Sequence, residues 1–203
     1  MSPRIAILDY GMGNLRSVEK AFQHVGAEAE ITGDHERVRA CDGVVLPGVG
    51  AFPRAMDEVR RLGYDGLLRE VVDAGKPVLG ICLGLQLLFE STTELGGGEG
   101  IGLLAGPVEA LPANGLKVPH IGWNLVGWCA ESGLSAGLAD PTAFYHVHSF
   151  APRPRNREDV LGVASYGSEF VTAVARPPVY GVQFHPEKSG PDGLRLLANF
   201  AAL

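Results

Sequence analysis

The chain has 203 residues, of which 46% are hydrophobic and 20% are charged, and its formal net charge at pH 7 is −6. A chain of this length and composition can bury one good-sized core, so we predict a single domain over residues 1–203. The negative charge and the lack of a basic stripe in the sequence exclude a general nucleic-acid binder.

The three cysteines, Cys41, Cys82 and Cys129, lie far apart in the sequence and lack C-x-x-C spacing. This usage indicates a reducing compartment and argues against a disulfide framework or a zinc site. The opening residues MSPRIAILDYGMGN lack the apolar core of a signal peptide. No stretch approaches the roughly 18 apolar residues that a membrane span needs. We therefore expect a cytoplasmic protein that binds no membrane.

The first ninety residues alternate between strand and helix patterns. Apolar runs predict strands at 4–9, 27–31, 43–48 and 76–81. Apolar residues at helical spacing predict helices at 15–25, at 53–74 with an interruption near Gly63, and at 83–90. The alternation predicts an α/β fold with a parallel sheet and helices on both of its faces.

After the three glycines at 96–98, the alternation of strand and helix patterns gives way to successive strand patterns. Short apolar runs predict strands at 101–109, 120–126, 143–150, 160–165, 170–175 and 179–184. Residues 151–159 have the composition of a loop, and a last helix is predicted at 191–202. Strands that follow one another this closely predict antiparallel pairs in the second half of the chain.

Cys82 lies between Gly80 and Gly84 in the run LGICLGLQLLF, where a predicted buried strand meets a predicted helix. Ligands of parallel α/β sheets bind beyond the carboxyl ends of the strands. A residue at such a turn has the geometry of a nucleophile elbow, and the start of the helix favours a thiolate. The alternative is a small buried hydrophobe, which is what most free cysteines are.

His185 and Glu187 stand on either side of Pro186 in the segment GVQFHPEKS. In an extended segment residues two apart lie on one side, so the carboxylate of Glu187 can reach the imidazole of His185. The carboxylate would orient the ring as the acid of a serine triad does. An incidental pair at an exposed strand end is the alternative, and two ligands without a third make a metal site a poor interpretation.

The backbone N–H of Leu83, directly after Cys82, is a candidate oxyanion-hole donor. A second donor could come from the segment PGVGAF at 47–52, because Gly48 and Gly50 let its peptide planes turn toward a substrate. Without a nearby nucleophile, this segment would be interpreted as a glycine-rich turn only.

Six motifs in order resemble a known family. GICLG at 80–84, PGVG at 47–50 and HPE at 185–187 resemble the class I, or triad, glutamine amidotransferases. DYGMGN at 9–14, PHIGWN at 119–124 and HPEKS at 185–189 resemble, within that class, the glutaminase subunits of imidazole glycerol phosphate synthases of histidine biosynthesis. The resemblance implies a flavodoxin-like three-layer αβα sandwich with a mostly parallel central sheet and added antiparallel strands.

The resemblance also implies a chemistry. Cys82 would attack the side-chain amide of glutamine, His185 would protonate the leaving ammonia, and water would then release glutamate from a thioester. Glu187 would complete the triad, and the backbone of Leu83 and of Val49–Gly50 would stabilise the oxyanion. The resemblance assigns glutamine binding to Gln86, His148, Ser149 and Phe150, without a cofactor or a metal.

The partner implied by the resemblance is a separate cyclase subunit, a (β/α)₈ barrel that forms a heterodimer with the glutaminase and uses its ammonia. Asn14, Trp123, Tyr145 and Lys188 match positions at that interface and at the ammonia exit. Trp123 and Tyr145 could equally be core or surface aromatics, and Lys188 a solvated charge. His120 and His148 are expected to be structural or to shape the substrate site, with no acid–base role.

Two departures and three alternatives accompany the resemblance. Phe150 stands where the family frequently has tyrosine, and residues 126–160 have loop lengths of their own. One alternative is a glutaminase subunit of another synthase, such as that for anthranilate or pyridoxal phosphate. The motifs DYGMGN and PHIGWN argue against it. A cysteine peptidase is disfavoured by Gln86, and an inactive binding module by the intact triad.

Overall fold

The computed structural model describes residues 2–203, which contain thirteen strands and six α-helices. The strands are β1 (Arg4–Leu8), β2 (Glu28–Thr32), β3 (Gly43–Gly48), β4 (Val78–Cys82), β5 (Phe89–Thr92), β6 (Gly98–Glu99), β7 (Leu104–Ala110), β8 (His120–Trp128), β9 (Thr142–His148), β10 (Phe150–Pro152), β11 (Val160–Tyr166), β12 (Ser168–Arg176) and β13 (Val179–Val182). The helices are α1 (Leu15–His24), α2 (His35–Ala40), α3 (Phe52–Arg61), α4 (Tyr64–Asp73), α5 (Leu83–Leu87) and α6 (Gly190–Ala201).

The larger sheet has nine strands in the order β2-β1-β3-β4-β13-β12-β11-β8-β9. The first five of these run parallel, and every pairing from β13 to β9 is antiparallel. The expectation of a parallel first half with antiparallel strands added from the second half is therefore confirmed. Among residues 2–203, no helix combines the length and hydropathy required to span a bilayer.

Two apolar cores lie on opposite faces of this sheet. Alternate residues of β1 divide between them: Ala6 and Leu8 pack with α3 and α4, whereas Ile5 and Ile7 pack with α1 and α6. Strands buried on both faces consist of near-continuous apolar residues, which is why they were recognisable as unbroken runs. Helices on both faces make the three αβα layers that were predicted.

A second sheet, in the order β10-β7-β5-β6, corrects two predictions. The helix predicted at 83–90 ends at Leu87, and Phe89–Thr92 forms β5, paired with β7 and β6. The loop predicted at 151–159 begins as β10, in which Phe150–Pro152 pairs with β7. In both places pairing with a distant strand overrides a local pattern.

The short helix α2 has no counterpart among the sequence predictions. Its N-cap Asp34 accepts hydrogen bonds from the backbone N–H groups of Glu36 and Arg37, and Val38 is its one buried residue. So small an apolar face leaves no helical period to detect. By contrast, the predicted interruption near Gly63 is confirmed: Gly63 has φ +69° and separates α3 from α4.

The glycines beside Cys82 are required by close packing. A Cβ at Gly84 would lie 1.7 Å from the carbonyl oxygen of Leu46, and one at Gly80 would lie 2.7 Å from the backbone of Leu85. Strand β4, helix α5 and strand β3 therefore approach one another more closely than any residue with a side chain allows.

We expect Gly84→Ala to lower the free energy of unfolding by about 3 kcal/mol, because the methyl group must displace the backbone of β3. Urea denaturation measures the change. The matched control is Gly66→Ala in α4, where a Cβ meets nothing within 4 Å. That control should raise stability by about 0.5–1 kcal/mol, as alanine does in helices. Equal effects of the two substitutions would contradict the packing argument.

Candidate active site

Cys82 is the last residue of β4 and immediately precedes α5. Its backbone has φ +56° and ψ −111°, a conformation that residues with side chains rarely adopt. Backbone strain of this kind persists where the surrounding structure enforces it and is concentrated at functional sites. The side chain is nearly buried, with the whole residue 6% exposed. Cys82 thus has the conformation of a nucleophile elbow.

His185 and Glu187 form a buried ion pair just after β13. Nδ1 of His185 lies 2.9 Å from Oε1 of Glu187, and the two side chains are 5% and 2% exposed. The backbone N–H of His185 donates to the carbonyl of Tyr145, and its carbonyl accepts from the hydroxyl of Ser189. Both the ring and its backbone are therefore held in place.

The pKa of His185 is raised to about 9. Burial is the largest single influence and acts to lower the pKa, but the hydrogen bonds and charges of Cys82 and Glu187 together outweigh it. His185 is therefore protonated at neutral pH, as an acid poised to give a proton to a leaving group must be.

A cavity of about 250 Å³ opens over Cys82. Ten of the predicted site residues line it: Val49, Gly50, Cys82, Leu83, Gln86, His148, Ser149, Phe150, His185 and Lys188. A larger hollow of about 580 Å³ lies beside the edge strand β2 and contains Cys41. Burial raises the pKa of the Cys41 thiol, so that hollow holds no activated nucleophile.

The segment predicted to supply oxyanion donors lies directly beside the cysteine. Gly48 of β3 pairs with Cys82 of β4, which places Val49 and Gly50 at the mouth of the cavity. Gly50 has φ +107°, a conformation that favours glycine. Val49 is 43% exposed, unusual for a valine next to a core strand, so this segment is covered by little else.

A hydrogen bond joins the side chain of Gln86 to the main chain of Phe150. The side-chain amide of Gln86 donates to the carbonyl oxygen of Phe150 at 3.2 Å. His148 contacts the same oxygen through Nδ1 at 2.8 Å. The polar contact at residue 150 thus comes from the main chain, which phenylalanine and tyrosine share.

Sequence reasoning missed Glu94 and Gln183. Glu94 lines the cavity, and its carboxylate accepts a hydrogen bond from the backbone N–H of Phe52, the first residue of α3. Its position just before the Gly96–Gly98 run was the one available signal. Gln183 is fully buried beside Cys82 and was passed over as part of an apolar strand.

Four of the predicted residues are not among those that line the cavity: Glu187, which lies behind His185, and Asn14, Trp123 and Tyr145. Trp123 and Tyr145 face each other across β8 and β9, with ring centroids 6.2 Å apart. Trp123 is 58% exposed, so it is a surface aromatic rather than a core residue. Asn14 lines a small neighbouring hollow together with Glu187.

Three histidines, His120, His146 and His148, are buried next to one another. Burial lowers the pKa of His146 to about 3 and that of His148 to about 4, and it also lowers the pKa of His120. They are neutral at pH 7, in keeping with the expectation of no acid–base role. In the described part of the chain, no group of three or more metal-ligating side chains is arranged to hold an ion.

Comparison with known proteins places these features in a family. A family model described as glutamine amidotransferase class-I matches residues 6–203. The chain belongs to the class I glutamine amidotransferase family. A relative from Moorella thermoacetica named imidazole glycerol phosphate synthase subunit HisH is 50% identical over 98% of this chain and 94% of its own length. A protein of the same name from Rhodopirellula baltica is 49% identical over 97% and 96% of the two chains.

Solved structures share the fold of this amidotransferase. PurLQS from Thermotoga maritima superposes with a TM-score of 0.79 over 98% of both chains, at 18% identity. The glutaminase domain of Trypanosoma brucei CTPS, solved with bound acivicin, gives a TM-score of 0.69 over 99% and 94% of the chains, at 20% identity. At these identities the likeness establishes the fold alone.

Glu187→Gln should lower the pKa of His185 from about 9 toward the ordinary value for histidine, because the variant loses the carboxylate that stabilises the imidazolium. An NMR titration of the His185 ring measures both values. Glu58→Gln, which removes only a surface partner of Arg61, is the matched control. An unchanged His185 pKa in Glu187→Gln would contradict the assigned ion pair.

The same pKa predicts the pH dependence of stability. Because the pKa of folded His185 is raised from 6.5 to about 9, its stabilising contribution is complete below about pH 6.5 and is lost as the pH rises through about 9. In urea unfolding, the wild-type chain should therefore lose more stability than Glu187→Gln between about pH 7 and pH 10.

Proposed function

We propose that this chain is the glutaminase subunit of an imidazole glycerol phosphate synthase, acting in histidine biosynthesis. The proposal is supported by relatives of that name at about 50% identity over nearly the whole chain. The observation that carries it is the buried Cys82, His185 and Glu187 constellation at the carboxyl edge of the sheet. A subunit of a biosynthetic synthase would work in the cytoplasm, which we include in the proposal.

In the first half-reaction Cys82 is the nucleophile. Its sulfur attacks the carboxamide carbon of glutamine, and the negative charge on the amide oxygen is stabilised by the backbone N–H groups of Leu83 and of Val49–Gly50. Protonated His185 then gives its proton to the departing amino group as the C–N bond breaks. The products are ammonia and a glutamyl thioester on Cys82.

In the second half-reaction His185 acts as a base. Having lost its proton, the ring takes one from a water molecule, whose oxygen attacks the thioester carbon. The C–S bond breaks, glutamate leaves, and the proton on His185 restores the starting pair. Glu187 holds the ring in one tautomer and stabilises its charged form through both steps.

We assign recognition of glutamine to the walls of the cavity. Gln86, His148, Ser149 and Phe150 line it, and Phe150 stands there in place of the tyrosine that is frequent in the family. We add Glu94, because its carboxylate is the one acidic group besides the triad at this cavity and complements an α-ammonium group.

The proposed partner is a (β/α)₈-barrel cyclase subunit that forms a heterodimer with this chain and consumes its ammonia. It is supported by an exposed apolar stripe on β8, where Ile121, Trp123 and Leu125 are 59%, 58% and 57% exposed. Alternate residues of a strand share a face, so these three form one surface. Exposed apolar residues that adjoin one another in this way are typical of a protein-binding site.

The proposed interface lies close to the chemistry. Tyr145, opposite Trp123, accepts the backbone hydrogen bond of His185 through its carbonyl. Lys188 and the exposed Val49 line the mouth of the same cavity as His185. With Asn14, these residues are our candidates for the docking contacts and the ammonia exit.

The decisive experiment follows glutamate release from glutamine by the purified chain, alone and with the cyclase subunit bound to its ribotide ligand. We expect a low basal rate that rises about 5- to 150-fold with the liganded partner, the range of typical coupling between sites. Cys82→Ala should abolish release in both conditions, because no other group can form the thioester.

Each other result has a distinct meaning. If the rate of glutamate release is the same with and without the cyclase, the proposed chemistry of Cys82 stands but the proposed partner is wrong. Partner subunits of other ammonia-using synthases would then be tested. No release under either condition would overturn the enzymatic proposal as a whole.

Trp123→Ala should weaken binding to the cyclase by about 30-fold or more, as loss of a central aromatic anchor does. Isothermal titration measures the affinity. Leu203→Ala is the control, since Leu203 is also an exposed apolar residue (48%) but follows α6 and is not part of the stripe on β8. Equal affinity of wild type and Trp123→Ala would place the interface elsewhere.

A further inference from the structure

Gln183 contacts the nucleophile but has no role in the mechanism derived above. It follows β13, two residues before His185, and is fully buried. Its Nε2 lies 3.6 Å from Sγ of Cys82, and its Oε1 lies 2.9 Å from Nε2 of Gln86. Its backbone N–H donates to Thr172 of β12 at 2.8 Å, so its position is held by the sheet.

The carbonyl group of Phe150, acting through Gln86, determines which atom of the Gln183 amide faces Cys82. The main-chain oxygen of Phe150 can only accept, so the side-chain nitrogen of Gln86 must be its donor. That nitrogen gives its second hydrogen to Oε1 of Gln183. The nitrogen of Gln183 consequently points at Cys82, and a rotated amide would set two donors against each other.

Histidine tautomers support the same direction. Nδ1 of His148 lies 2.8 Å from the Phe150 oxygen and must be protonated to bond with it. His148 is neutral because burial lowers its pKa to about 4. Its Nε2 therefore accepts from Nδ1 of His120 at 3.0 Å. The chain from His120 to Gln183 has one consistent arrangement of hydrogens.

We propose that Gln183 is a further catalytic residue of the glutaminase site, donating an N–H hydrogen bond to the Cys82 thiolate. This inference rests on the proposed function and adds a second stabilising contact beside His185. The carbonyl oxygen of Val147, 3.7 Å from the sulfur, can only accept a hydrogen bond and so favours the neutral thiol. The N–H of Gln183 has the opposite effect and favours the thiolate. A charged acceptor gains more from an N–H donor than a neutral one does.

No other ionisable group changes when Gln183 is substituted. The titratable side chains around the sulfur and its cavity are Tyr10, Glu94, His148, His185, Glu187 and Lys188. They come from several elements and remain in every variant below. A change in thiol reactivity therefore reports on Gln183 itself.

The test is the pH dependence of alkylation of Cys82 by iodoacetamide in the full chain, followed by mass spectrometry of the peptide that contains it. Gln183→Met, which keeps the length but has no N–H, should raise the midpoint by about one pH unit and slow alkylation near pH 7 about tenfold. Gln183→Leu, an apolar side chain of similar size that also lacks an N–H donor, should raise it by a similar amount. The neutral thiol reacts negligibly, so the midpoint reports the thiolate.

Thr172→Val is the matched control. Thr172 is equally buried and its hydroxyl bonds His146 rather than the sulfur, so this variant should lose stability without a shift of the midpoint. If Gln183→Met lowers the melting temperature but leaves the midpoint at the wild-type value, the proposal is overturned and Gln183 only packs. Should Gln183→Met fail to fold, the Gln183→Leu midpoint decides in the same way.

The alkylation readout needs neither glutamine nor a partner. A shifted midpoint in a chain that never releases glutamate would support the contact with Cys82 and overturn the proposed function alone. If the chain releases glutamate but the midpoint does not shift in Gln183→Met, the proposed function stands and the role of Gln183 is overturned.

Discussion

The parallel pairing of β3, β4 and β13 is the constraint on which the site depends. Gly48 is in register with Cys82, and Val182 with Ile81, so three strands end at one level of the sheet. Cys82, the proposed nucleophile, is the last residue of β4, and the proposed oxyanion segment and His185 follow the ends of β3 and β13. A slip of one residue in either pairing would turn the side chains to the other face of the sheet and separate the triad.

The antiparallel half of the sheet connects this edge to the outer surface. Strand β9 runs beside β8. The carbonyl of its Tyr145 accepts from the backbone N–H of His185, and the backbone N–H of Tyr145 donates to the hydroxyl of Ser189. Under the proposed function, a partner that shifted the β8–β9 hairpin would therefore act on the segment that carries His185, the proposed general acid. Packed and hydrogen-bonded connections of this kind are how a docking event changes a distant reaction.

The sequence predicted what local patterns determine. The strand–helix alternation, the turn at Cys82 and the pairing of His185 with Glu187 each involve residues close together in the chain. The first two residues of β5, Phe89 and Glu90, were assigned to helix because Phe89 continues the apolar run that begins before it. Only pairing with Leu104–Val108 makes this segment a strand. Glu94 and Gln183 were missed for the same reason: their partners, Phe52 and Cys82, are 42 and 101 residues away.

At Cys82 the proposed activity and the stability of the chain have opposite requirements: the reaction needs a side chain there, and the backbone conformation favours glycine. A residue with a side chain at φ +56° and ψ −111° carries a strain of roughly 1–3 kcal/mol that glycine would not. By retaining the thiol, this chain keeps backbone strain that a glycine at the position would relieve. Once selection for glutamine hydrolysis is relaxed, mutation to glycine at this position becomes favourable, and a decaying copy of the gene would be expected to lose its nucleophile early.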